Sequence, residues 1–237
     1  MDRPPSKSRP LPPEILPSRA AIAPPARYHL VGVATTLALV AISLLPSGGV
    51  AKYRYSFLFL VPILWVVSAF RRRLLLRPLH FALFAFALVL HDLGAFGGYQ
   101  RSFFGLEFDW CVHFTFGLVG GLILARLLHL RLGLSGPILG LFVVLLVTGI
   151  GGLHEIVEAA STRFLGPEYG MLWTGPGNAF DTQEDLMSNV VGASVAFALH
   201  GIGERIRRAR TATGPGTAGS PARPSSSRSP PAPETPS

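Results

Sequence analysis

Apolar residues run through this chain in long blocks, set apart by polar, arginine-bearing or proline-rich stretches. Six blocks are long enough to cross a hydrocarbon core of about 30 Å as helices. They cover residues 28–46, 53–70, 74–93, 108–128, 136–159 and 185–201. Lipid offers the backbone no hydrogen-bond partner, so each block is read as a helix. The third carries Arg77 near its start and the sixth is short, so the pattern sets those ends least sharply. The predicted fold is all-α: one polytopic transmembrane helical bundle of about six spans, occupying residues 28–203. Residues 1–27, with Pro4-Pro5, Pro12-Pro13 and Pro24-Pro25, and the basic, Pro-rich residues 204–237 flank it. Neither flank has enough apolar surface to offset chain ordering, and both are expected to be disordered tails.

Composition agrees with the pattern. The 237 residues are 49% hydrophobic and 14% charged, with a mean hydropathy of +0.42. Soluble domains carry about 25% charged residues. The net charge of +8 suggests nucleic acid until its distribution is considered. With six spans and the N-terminus inside, only Lys52, Arg54, Arg101 and Arg163 of the 21 basic residues fall outside. That bias predicts N-in, C-in topology. It leaves no aromatic-interleaved basic patch for nucleic acid. Nine of the 13 acids are biased the other way: Asp92, Glu107, Asp109, Glu155, Glu158, Glu168, Asp181, Glu184 and Asp185. The lone cysteine, Cys111, excludes an intramolecular disulfide and reads as packing. The polar stretch before the first block has no signal-peptide character. The expected location is a membrane.

The chemistry gathers on that acidic side. Residues four apart on a helix share a face. Asp109 and His113 therefore project together from the first turns of the fourth span. Glu155 and Glu158, beside His154, come from the end of the fifth, with Gly151 and Thr148 deeper on the same face. Asp181, Asp185 and Asn189 align on the sixth, above Gly192, Ala193 and Ala196. Below His113 lie Gly117, Gly120 and Gly121, small residues that let a neighbouring helix approach. His91-Asp92, ending the third span, reaches the same level if the chain crosses six times. An outer loop over 161–180 with Tyr169 and Trp173 suits the interfacial zone, with covering of the cluster as the alternative.

Ionisable groups at a membrane edge are costly and imply function. Carboxylates with imidazole and amide oxygens suit a divalent cation such as Mg, Mn, Ca or Zn. Asp109, His113, Glu155, Asp181 and Asp185 are the expected metal ligands, with Glu158 as a base. His91, Asp92, His154, Gln183 and Asn189 support them. Without a cation, a shared proton or partners such as Arg101 and Arg163, the carboxylates would repel one another. His-Glu-x-x-Glu is not the zinc-protease pattern His-Glu-x-x-His. No Walker phosphate loop or serine-based triad is present, and the Gly-rich run at Thr148–Gly152 lacks the strand context of a dinucleotide site.

The run Asp109-x-x-x-His113-Phe114, the segment Glu155-Ile156-Val157-Glu158, and Asp181-Thr182-Gln183-Glu184-Asp185-Leu186-Met187 followed by Gly192-Ala193 resemble the YjdF family of uncharacterised bacterial inner-membrane proteins. The resemblance covers about residues 30–200. It departs at Glu184, where that family often has an aromatic. A looser similarity is to VanZ-like membrane proteins. Both imply a multi-pass inner-membrane protein and bring no established reaction. The expected role is an extracytoplasmic-facing cation site acting on a lipid head group or envelope metabolite. The alternatives are a cation- or proton-coupled transporter, whose acids belong at mid-depth, and a non-catalytic membrane module. Membrane lipids are the expected partners.

Overall fold

The computed structural model describes residues 24–44, 57–99, 101–103, 105–166 and 180–212. Six helices follow in order: α1 (Pro25–Leu44), α2 (Phe57–Ala69), α3 (Pro78–Leu93), α4 (Phe108–Leu132), α5 (Gly136–Leu165) and α6 (Asp181–Ala212). A π-helical turn, Gly94–Gly98, extends α3. A minimal antiparallel hairpin, β1 (Ser102–Phe103) with β2 (Leu106–Glu107), leads into α4. Among the described residues the protein is therefore all-helical apart from that hairpin. The tails at 1–23 and 213–237 and most of the loop with Tyr169 and Trp173 lie outside the described residues.

Four helices, α1, α4, α5 and α6, are long and apolar enough to cross a membrane; α2 and α3 are apolar but span only 13 and 16 residues. Among the described residues, four of the six expected spans are thus full-length helices, and the two shorter ones lie between the first and second of these. The third block was expected to begin at residue 74. Instead residues 70–75 form turns, Leu75 takes a left-handed φ of 51°, and Pro78 occupies the first turn of α3. Proline lacks the N–H that a helix interior needs, but the first turn leaves that group unbonded anyway. The other ends run longer than expected. Helix α5 continues to Leu165, and α6 begins at Asp181 and continues through Glu204 to Ala212. Chain contacts separate Met1–Gly201 from Ile202–Ser237, and within the latter Arg207 pairs with Glu204.

The bundle is inverted relative to a soluble protein. Leu37, Phe59, Leu141, Leu145, Ile150 and Ile156 are exposed, whereas Asp92, His113, Glu155, Asp185, Ser188 and Asn189 are buried. One apolar core joins α1, α2 and α3 through Tyr28, Leu39, Leu64, Phe81 and Leu88. A second joins α4, α5 and α6 through Ala125, Leu139, Val143, Val147 and Ala193.

The two ends differ chemically. At one, Tyr28 Oη donates to Leu76 O (2.7 Å), Arg126 Nε donates to Leu75 O (3.0 Å), and Arg131 reaches Arg73 O (3.3 Å). This basic end holds the start of α1, the 70–77 turn and the end of α4. The clustered acids occupy the other.

Helices α4 and α6 meet backbone to backbone. A Cβ at Gly117 would strike the Asn189 backbone, one at Gly192 would strike Phe114 O, and one at Gly121 would lie 2.6 Å from Ala196 Cβ. Small residues at such crossings replace the hydrophobic force that lipid removes. Gly120, one residue away, meets only Val147 Cγ2 at 3.9 Å and faces a cavity instead. Replacing Gly117 with Val should therefore destabilise the detergent-solubilised protein by about 1–3 kcal/mol, the usual cost of overpacking. Gly149→Ala, where nothing lies within 4 Å of the new Cβ, should be neutral or stabilising in the same thermal melts.

Candidate functional site

The α4–α6 crossing brings the two helices' polar stripes together. His113 Nε2 lies 3.5 Å from Asp109 Oδ1, one turn earlier on α4, and 3.5 Å from Asp185 Oδ2 across on α6. Asn189, one turn below Asp185, places its amide nitrogen 3.3 Å from His113 Nδ1. That contact fixes the imidazole so that Nε2 faces both carboxylates. One donor atom each from Asp109, His113 and Asp185 lies within 4.8 Å of the others.

Helix α5 supplies a second group. His154, Glu155 and Glu158 also offer donor atoms within 4.8 Å of one another. His154 Nδ1 is 3.3 Å from Glu158 Oε1, with alignment too poor for a hydrogen bond. Glu155 is 5% exposed; its Oε2 accepts from Thr182 Oγ1 (3.1 Å), while Oε1 has no hydrogen-bond partner. Thr182 thus ties the start of α6 to the end of α5.

The groups are neighbours. The His113 and His154 rings are 5.9 Å apart, and His91 on α3 is 6.3 Å from His154. Tyr99 Oη sits 2.6 Å from His91 Nδ1. Asp185 lies within electrostatic reach of Asp109, Asp181, Glu155 and Glu158. The carboxylates therefore share one region, and repulsion among them must be offset. Arg101 and Arg163, the expected arginine partners, are exposed, and among the described residues neither pairs with a cluster acid. The undescribed stretch 167–179 contains no lysine or arginine.

Of the expected residues, Asp109, His113, Asp185 and Asn189 form one group and His154, Glu155 and Glu158 the other. His91 joins them through its ring. Asp181 joins electrostatically, and Asp92 is fully buried at the end of α3. Gln183 is exposed on α6 and stands apart from the cluster, because two residues along a helix turn the side chain about 200° away. Sequence reasoning missed Thr182, Tyr99 and Ser188, the last fully buried with its hydroxyl unpartnered. A signal existed for two of them. Thr182 and Ser188 lie three residues before and after Asp185, and so on its side of the helix. Tyr99 follows an irregular turn and left no periodic trace.

Residues 27–205 of the 237 match the family model described as "Predicted membrane protein (DUF2238)". No curated protein and no solved structure matches the chain.

Thr182→Val should cost about 1–3 kcal/mol of thermal stability by leaving Glu155 buried with neither oxygen bonded. Gln183→Ala should leave the melting temperature unchanged in the same assay.

Proposed function

The chain belongs to the DUF2238 family of predicted membrane proteins, and we propose that its acidic end is a divalent-cation site acting on the head group of a membrane lipid or on an envelope metabolite. The observation that carries this reading is the convergence of Asp109, His113 and Asp185 donor atoms within 4.8 Å. Ligands about 2.0–2.2 Å from one ion lie no more than about 4.4 Å apart, so small adjustments suffice. Oxygen and imidazole donors suit Mn, Mg or Zn. Turned oxygen-first, the Asn189 amide accepts Nδ1–H and leaves Nε2 of His113 as the lone-pair donor, the outer-shell support that ligand histidines normally have. Glu155, with one bare oxygen, and Asp181 complete the set.

A bound cation would polarise a phosphoryl or carbonyl oxygen, or acidify a water. Glu158, beside His154, is the group left to accept a proton. In this reading α2 and α3 also cross the membrane, giving six spans with both termini inside a bacterial inner membrane, as in YjdF-like proteins. The cluster then faces outward. Residues 91, 109 and 185 lie within about one turn of a helix end and Glu155 ten residues before the end of α5, whereas a coupled transporter calls for acids at mid-depth.

Elemental analysis of the purified, detergent-solubilised full chain tests this. About one equivalent of a divalent metal is expected, lost in Asp185→Asn and His113→Ala and kept in Gln183→Ala. Equal metal content in all four proteins, with melting temperatures unchanged, would retire the proposal and leave a polar cluster that only joins helices.

A further inference from the structure

A cavity of about 290 Å³ opens beside the acidic cluster and runs along one face of α4. Helices α3 and α5 both pack on α4 and flank this face. The cavity's polar lining is confined to one end, where His91, His113, His154 and Asn189 meet, one from each of four helices. Away from them the walls are Phe84, Val119, Ile123, Leu124, Val147 and Val67. From His113 to Leu124 is eleven residues of α4, or about 16 Å at 1.5 Å per residue. That is one leaflet's share of a hydrocarbon core about 30 Å thick. Its volume equals roughly ten groups of water size, at about 30 Å³ each.

Apolar cavities take apolar occupants in preference to water, and away from its histidine end this one is lined by apolar side chains. In a membrane the abundant occupant of leaflet length is an alkyl chain. We infer that this cavity is a groove for one acyl chain of a membrane lipid, seated so that its polar head meets the histidine and carboxylate end. The inference rests on the cation-site reading for what the head encounters, and it adds the substrate class: an amphiphile with a long alkyl chain rather than a soluble metabolite. Gly120 is the wall's thinnest point, since a Cβ there meets only Val147 Cγ2 at 3.9 Å. A larger side chain at that position projects into the groove without striking backbone.

The test uses the full chain in phosphatidylethanolamine–phosphatidylglycerol vesicles, with phosphatidylethanolamine carrying a mid-chain diazirine. Photolabel is read by peptide mapping, and bound metal is measured on the same samples. Peptides with Val119, Ile123 and Val147 should be labelled above those with the outward-facing Leu141 and Leu145. Gly120→Leu and, separately, Ile123→Trp should abolish the excess while labelling at Leu141 and Leu145 persists. No excess in the unsubstituted chain, or an excess that survives both substitutions, overturns the groove. The metal measurement separates the two readings: excess label in a protein without metal removes the cation and keeps the groove, and metal without excess label removes only the groove.

Discussion

The close crossing of α4 and α6 is the constraint on which the rest depends. Two helices ordinarily pack 8–10 Å apart, held off by their side chains. Here Gly117, Gly121 and Gly192 remove those side chains, and the backbones touch. Only that approach lets an imidazole on α4 reach a carboxylate and an amide on α6 at the distances seen for Asp185 and Asn189. Gly151 on α5 repeats the device, since a Cβ there would lie 2.8 Å from Asn189 Nδ2. Asn189 is thus hemmed in by α4 and α5 together, at the point where three helices deliver their polar groups.

This arrangement reverses the usual distribution of polarity. The outer surface of α5 is apolar, with Leu141, Leu145, Ile150 and Ile156 exposed, and its inner face ends in Glu155. Lipid exerts no hydrophobic pressure between helices, so tight packing and polar contacts must hold them. Hydrogen bonds between transmembrane helices contribute only about 0.6–2 kcal/mol each. A cluster of buried carboxylates costs more than that to assemble unless something offsets its charge. Among the described residues Arg101 and Arg163 are exposed and pair with no cluster acid, while Arg126 and Arg131 bind the 70–77 turn at the opposite end. Histidines stand among the acids, and the proposed cation would supply the missing compensation.

Much of this was legible in the sequence. Every helix was foreseen from its apolar block, and the four-residue spacings of Asp109 with His113 and Asp185 with Asn189 put the right side chains on one face. Gly117, Gly120 and Gly121 were read as contact residues; Gly117 and Gly121 do meet α6, whereas Gly120 faces the cavity. The ends of α2 and α3 were not legible, because hydropathy does not register the Pro78 start or the left-handed turn at Leu75. Hydroxyl partners were missed for a different reason. Thr182 bonds Glu155 and Tyr99 bonds His91 across elements, and a single hydroxyl carries no periodicity. The groove was invisible as well. Its wall residues read as ordinary apolar positions until α3 and α5 are placed on either side of α4.

The central claim is that His113 and the carboxylates around it hold one divalent ion, and pulsed electron paramagnetic resonance of the Mn²⁺-loaded full chain in detergent tests it most directly. The account predicts a protein-bound manganese signal coupled to imidazole nitrogen, with that coupling absent in His113→Gln. A spectrum of freely hydrated manganese, or a bound signal whose nitrogen coupling survives the substitution, would contradict it.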